Sequence, residues 1–432
     1  MPADTLDRLL REEFPDPDGG PPLSVPTRSV VIANTLAGQE ADLIAGLDFG
    51  RKLALVCDEI TYEVLGARVA RALSAIAEVT EIRLPIGAHV DMDTVEAIRR
   101  ESALCDALVA VGAGTINDPC KYAAAQDGKP FAVFGTAPSM NGYTSLNAAI
   151  TVDGLKKSLP AVAASGVFLD LEILSKAPPR MIRSGLGDSL CRSTAQADWL
   201  LAHLLLDRPY REAPFALLAE DEAALFAAAE GLMRGDLEAM RRLACTLVLS
   251  GFGMTICGGS YPASQGEHLI SHYVEMMAPA DWPPAYHGEQ IGVSTLTMAR
   301  LQERLLAGDP PRVHPTAVNE ASVTDHFGET LGRACWDEFA QKRLDATTAA
   351  ALNERIEERW DDIRARLSTV TVPASTLESV LGRAGAPTTP GDLHWPRDFY
   401  DDAVRHAREI RNRYTFLDLA GDCGMLEDPD IV

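Results

Sequence analysis

The stretch SQGEHLISHYVEMM sets His268 and His272 four residues apart, a spacing that puts two side chains on one face of a helix. A third histidine, His287, follows in YHGEQIGV. Imidazole is a common ligand for divalent transition metals. Asp188, in SGLGDSL, adds a carboxylate at what reads as the start of the first long helix of the second half. These residues offer one carboxylate and two imidazoles with a histidine to spare. Three protein ligands would leave positions open for a substrate oxygen, as catalytic zinc-type sites require. The competing reading of an HxxxH pair is two ordinary surface or hydrogen-bonded histidines. Glu267 and Glu289 stand by as carboxylates able to hold ligand rings in place. The remaining histidines, at 89, 203, 314, 326, 394 and 406, have no distinguishing spacing and read as structural.

A second chemistry is suggested by VAVGAGTINDPCKYAA, where an apolar strand meets a helix through a turn containing Gly112 and Gly114. Such a turn lets backbone N–H groups at a helix N-terminus approach a pyrophosphate. It is not GxGxxG, so a purely structural turn competes, and Asp118 reads equally well as a charge favouring the helix start. Asp58 closes the apolar run KLALVCD, the position from which α/β nucleotide domains accept hydrogen bonds from ribose hydroxyls. An acid there disfavours a 2′-phosphate, so NAD is expected over NADP, with dual use left open.

These residues need elements to position them. A first strand is expected near Val30 to Ile32. KLALVCD then reads as a strand, TYEVLGARVARALSAIA as a helix and VTEIRLP as a strand. DMDTVEAIRR opens a helix, with Asp93 and Glu96 spaced as a capping-box variant, and DALVAVGAG returns to strand. Such alternation predicts a mainly parallel sheet covered by helices. After PFAVFGTAPS comes an Asn/Thr-rich stretch and one more apolar run, GVFLDLEIL. Beyond KAPPR helical periodicity takes over, as in DSLCRSTAQADWLLAHLLL and AALNERIEERWDDIRARLSTV. The expected organisation is an extension over 1–28, an α/β dinucleotide-binding domain over 29–179 and an all-helical metal- and substrate-binding domain over 180–432. No repeat of fixed period interrupts it.

Composition narrows the partners. The chain has 432 residues, 47% of them hydrophobic, enough for a sizeable core. Its formal charge of −23 repels phosphate backbones and anionic lipid surfaces. A small anionic substrate stays open, because a pocket needs only a few local cations. The eight cysteines form no CxxC pair, the pattern of small apolar residues in a reducing compartment. The N-terminal residues carry no apolar stretch behind a basic start, and no window reaches the length of a membrane span. A cytoplasmic protein without membrane insertion is expected.

Taken in order, GAGTINDPCKYAA, GTAPSMNGYTS, MIRSGLGDSL, GEHLISH and YHGEQIGVSTL resemble the glycerol-1-phosphate dehydrogenases, within the larger group of iron-containing alcohol dehydrogenases, glycerol dehydrogenases and dehydroquinate synthases. The resemblance spans roughly residues 30 to 300; the C-terminal part agrees only in being helical. It implies a dehydroquinate-synthase-like fold, a Rossmann-like domain followed by an all-α domain with the active site in the cleft between them. It also implies that Gly114, Thr115, Ile116, Asn117 and Asp118, with Gly112 before them, hold the cofactor pyrophosphate. Thr136, Ala137, Pro138, Ser139 and Ser145 would line the nicotinamide side and Asp58 would meet the ribose. Asp188, His268 and His287 match the metal ligands, for zinc, nickel or iron, and His272 matches a substrate-contacting histidine. The implied reaction interconverts dihydroxyacetone phosphate and sn-glycerol-1-phosphate with NAD or NADP, in a homo-oligomer. Where the family has Asp after Ser-Met, this chain has Asn141, which keeps hydrogen bonding and loses the charge. That departure leaves a dehydrogenase of another polyol or a hydroxy-phosphonate as an alternative, followed by a dehydroquinate-synthase-like lyase and a non-catalytic nucleotide-binding protein. Arg183 and Lys121 are the candidates for a phosphate clamp, each also readable as a solvated helix charge.

Overall fold

Six short strands form one sheet in which every pairing is parallel. In chain order they are β1 (Ser29–Ala33), β2 (Lys52–Asp58), β3 (Glu78–Leu84), β4 (Ala107–Gly112), β5 (Phe131–Gly135) and, after a hairpin, β8 (Gly166–Asp170). The computed structural model describes residues 5–152 and 155–426. Strands covered by helices on both faces need continuous apolar sequence, and β4, β5 and β8 are buried along their whole length. The spatial order β1-β8-β5-β4-β2-β3 sets β3 on one side of β2 and β4 on the other. The chain therefore reverses its progress across the sheet between β2 and β4. In open α/β sheets ligands bind beyond the carboxyl ends of the strands at such a point. Those ends carry Asp58 and Gly112.

The Asn/Thr-rich stretch contains an antiparallel hairpin that the sequence pattern does not announce: β6 (Asn147–Val152) paired with β7 (Leu155–Pro160). Ala148 and Ile150 are the buried residues of β6, too few and too small to stand out as alternation. The longer helices include α1 (Met92–Glu101), α2 (Gly114–Gln126), α3 (Pro179–Leu190), α4 (Arg192–Leu206), α5 (Leu237–Ile256), α6 (Gly266–Met277), α7 (His287–Ala307), α8 (Ala346–Ser368), α9 (Arg397–His406) and the short α10 (Phe416–Asp422). Two sequence expectations need correction. The cap of α1 is Asp91, whose Oδ1 accepts from Thr94 N at 2.9 Å; Asp93 lies inside the first turn, and Glu96 pairs with Arg99 at 2.7 Å. Asp188 lies in the last turn of α3, because the helical run breaks near Cys191 before α4 begins.

By packing, the chain forms two units. One comprises Met1–Ser189 with Glu212–Ser260, the other Leu190–Arg211 with Tyr261–Val432. The change of texture near residue 180 marks where strands stop, while α5 packs with the sheet: Arg241 donates to the Ile32 carbonyl at 2.7 Å. The core of the first unit includes Leu53, Val69, Val109, Phe134 and Phe168. That of the second gathers Leu201, Ile270, Val293, Met298, Trp360 and Tyr400 from α4, α6, α7, α8 and α9. Among the described residues no helix is long and apolar enough to cross a membrane.

Candidate nucleotide and metal sites

At the end of β4, Ala113 has an extended backbone (φ −109°, ψ −153°) and α2 begins without a side-chain cap. The first helical turn thus presents bare N–H groups, and those of Gly114 and Thr115 have no partner among the described residues. A Cβ added to Gly114 would meet only Met140 Cγ, at 3.8 Å, so a ligand can approach the backbone there closely. Gly114 and Thr115 are accessible, whereas Gly112, Ile116 and Asn117 are buried beneath them. This suits a phosphate bound by backbone N–H groups and the helix dipole. Asp118 is occupied locally: Oδ1 accepts from Asn117 Nδ2 at 2.7 Å and Oδ2 from Ala149 N at 3.0 Å, tying α2 to β6. Asp58 likewise caps the helix after β2, its Oδ1 accepting from Thr61 N at 2.7 Å.

The loop after β5 is held from three sides. Thr136 N donates to the Gly112 carbonyl at 3.2 Å, Tyr143 to that of Ala137 at 2.7 Å and Ser184 to that of Ser139 at 3.1 Å. Gly185 lets α3 press on the loop, since a Cβ there would fall 1.7 Å from the Pro138 oxygen. The backbone N–H of Asn141 donates to Asp188 Oδ2 at 2.9 Å, and its side-chain amide donates to Ser250 Oγ at 3.2 Å. Thr136, Ala137, Pro138 and Ser139 are buried. The Ser145 hydroxyl is engaged internally, with the Asn147 carbonyl at 3.0 Å and Lys121 Nζ at 3.3 Å. Lys121 is not a solvated charge. It is fully buried, and Nζ donates to the carbonyls of Gly142, Ser145 and Asn147. Burial lowers its pKa to about 8, with Asp118 opposing the shift. It staples the loop and has no hydrogen left for a substrate phosphate.

In the second unit three imidazoles converge. The ring of His268 lies 5.9 Å from that of His272 and 5.1 Å from that of His287, and the latter two are 6.3 Å apart. The four-residue spacing on α6 does set the first two on one face, and His287 is the first residue of α7. His268 Nδ1 faces Glu267 Oε1 at 2.9 Å; a carboxylate accepts, so Nδ1 carries the proton and the lone pair of the ring lies on Nε2, the arrangement a metal-binding imidazole needs. Glu267 is itself fully buried, and accepts from Gln265 N at 2.8 Å and Thr194 Oγ1 at 3.2 Å. Glu289 instead accepts from Tyr286 N at 2.9 Å, at the start of α7. The Nδ1 atoms of His272 and His287 are buried without a hydrogen-bond partner among the described residues. Buried ring nitrogens left unpaired are costly, and a divalent ion or bound ligand would satisfy them. Burial, with Arg411 next, holds His272 well below the usual imidazole range despite Glu275, so the ring is neutral at pH 7.

A parallel sheet that offers a bare helix start at its switch point belongs to the dinucleotide-binding class of α/β folds. Glycerol dehydrogenase from Schizosaccharomyces pombe shares the fold, with a TM-score of 0.62 over 94% of this chain and 89% of that one at 14% identity. The iron-containing alcohol dehydrogenase family matches residues 31–178. The chain is 33% identical to a glycerol-1-phosphate dehydrogenase [NAD(P)+] of Halalkalibacterium halodurans, over 84% of this chain and 85% of that protein. It is 28% identical to the enzyme of that description in Bacillus licheniformis, over 94% and 91%. The chain belongs to the glycerol-1-phosphate dehydrogenase family.

Proposed function

We propose that this protein interconverts dihydroxyacetone phosphate and sn-glycerol-1-phosphate, using NAD or NADP and one divalent transition metal. The observation that carries the reading is the convergence of His268, His272 and His287, in a chain whose relatives are described as enzymes of that reaction. Metal ligation is assigned to Asp188, His268 and His287. In support of that set, Glu267 Oε1 holds the Nδ1 side of His268 at 2.9 Å. When bound, NAD(P)H supplies the hydride and the divalent ion the Lewis acidity that polarises the ketone.

The chain's own residues bind, orient and move protons. The N–H groups of Gly114 and Thr115 take the pyrophosphate, with Asp58 at the ribose and the backbone of Thr136 to Ser139 beside the nicotinamide. His272, neutral, hydrogen-bonds a substrate hydroxyl and relays a proton to the oxygen that gains charge as hydride arrives. Asn141 offers the substrate a hydrogen bond without adding negative charge beside Asp188. The reading extends to a cytoplasmic homo-oligomer. A panel of ketones assayed with NADH and NADPH tests it. Dihydroxyacetone phosphate is expected as the preferred substrate; turnover should vanish on chelation and return with zinc, nickel or iron. Activity indifferent to chelator would remove the metal. A preference for the ketone of a different polyol or of a hydroxy-phosphonate would establish the alternative that Asn141 leaves open, and release of inorganic phosphate without net NADH change would establish a lyase.

A further inference from the structure

Asp198, on α4, is fully buried, and no cation pairs with it among the described residues. Its surroundings resist the charge: burial, and then the equally buried Glu267, push the carboxyl well above the usual carboxylate range. An apolar side chain of similar size would cost the core less. The acid is therefore accounted for by what its two oxygens hold.

What they hold is the start of α6. That helix begins at Gly266 without a side-chain cap from Gln265, and the first N–H groups of a helix need acceptors from outside it. Asp198 Oδ2 accepts from Gly266 N at 2.9 Å. Its Oδ1 accepts from Phe416 N, at the start of α10, at 2.9 Å, and Gln302 Nε2 of α7 approaches the same oxygen at 3.5 Å. Glycine at 266 makes the approach possible, since a Cβ there would fall 2.8 Å from Asp198 Oδ2.

Thr194 stands four residues before Asp198, on the same face of α4. Its Oγ1 donates to Glu267 Oε2 at 3.2 Å, while Glu267 Oε1 accepts from Gln265 N at 2.8 Å and faces His268 Nδ1 at 2.9 Å. One face of α4 thus grips two successive residues, the backbone of Gly266 and the side chain of Glu267, immediately before His268. A slide or turn of the helix start would be passed on to that ring. Gln302 donates to the Thr194 carbonyl at 3.0 Å and ties α7 to α4 without a hydrogen bond to α6. All these residues belong to the second unit.

We propose that Asp198 is a positioning residue: by fixing the first residue of α6, it keeps Glu267 on the Nδ1 side of His268 and so sets the tautomer and direction of that ring. The consequence for metal binding rests on the reading that His268 is a ligand.

The test compares full-length wild type with Asp198→Ala, Asp198→Asn and Gln302→Leu. Nitrogen-15 NMR of the histidine rings in metal-free protein reads the tautomer of His268, whose signals are identified by their loss in His268→Asn. Wild type should show one form, protonated on Nδ1. In Asp198→Ala both ring signals should move towards the averaged positions of exchanging tautomers, and zinc affinity should fall by about 10-fold, read by competition with a chromophoric chelator. Gln302→Leu should lower the urea midpoint yet keep wild-type ring signals and affinity. Unchanged ring signals in Asp198→Ala, or the same change in Gln302→Leu, would overturn the proposal. If Asp198→Ala does not fold, Asp198→Asn, which keeps the shape and one acceptor, is judged by the same outcomes. Should wild type bind no zinc, nickel or iron, the metal reading fails separately, and the ring signals alone decide the role of Asp198.

Discussion

A histidine that binds a metal through one nitrogen needs the other held, or the ring turns and the tautomer drifts. Glu267 faces Nδ1 of His268, a proposed ligand, at 2.9 Å, and its own oxygens are pinned by Gln265 and Thr194. Replacing Glu267 with Gln keeps the shape and removes the charge that favours the Nδ1 proton. Metal affinity should fall by about 10- to 100-fold, measured by competition with a chromophoric chelator. An unchanged affinity would reduce Glu267 to a carboxylate that merely starts a helix. The residues proposed to meet the cofactor show the opposite case. Asp58 and Asp118 have local hydrogen bonds that account for their presence without a ligand, so their residue types alone do not decide their roles.

At the scale of elements, α3 has two tasks. Its last turn carries Asp188, and its middle presses on the loop after β5 through Gly185. A methyl group at Gly185 would collide with the Pro138 backbone, which cannot swing aside as a flexible side chain would. Gly185→Ala should cost roughly 2–4 kcal/mol in urea unfolding and weaken NADH binding by displacing the loop. Gly114→Ala is the matched control. Its added carbon meets only Met140, so stability should stay within about 1 kcal/mol while NADH affinity drops, as read by fluorescence titration. If Gly114→Ala binds NADH normally, the pyrophosphate does not sit on that turn. If Gly185→Ala resembles wild type in both measurements, the loop can yield where the structure shows it held.

Across the whole molecule the excess of 62 acidic over 39 basic residues leaves the folded state repelling itself, a cost that mobile ions screen. Raising NaCl from about 10 to about 200 mM should raise Tm by a few degrees, with no such change in sorbitol of equal osmolality. A flat or falling Tm would show that surface ion pairs such as Arg242 with Asp221 outweigh the net repulsion. Much of this protein was legible along the chain. Local pattern marked four of the six parallel strands as strands and a fifth, GVFLDLEIL, as an apolar run, the glycine turn after β4 marked a bare helix start, and the spacing of His268 and His272 put them on one face. All three are local, set by periodicity and backbone sterics that a short window contains. The β6–β7 hairpin escaped because its inward residues are small, and α5, with the helix Ala219–Met233 on which it packs, belongs to the unit of the sheet rather than to that of the later helices. Only the folded chain decided that Lys121 is a buried staple and that His268 turns Nδ1 to Glu267. It alone brings the turn at Ala407–Ile410, remote in sequence, against the helix of the histidines. Such meetings depend on which buried surfaces pair over long separations, and no local pattern of residues encodes that.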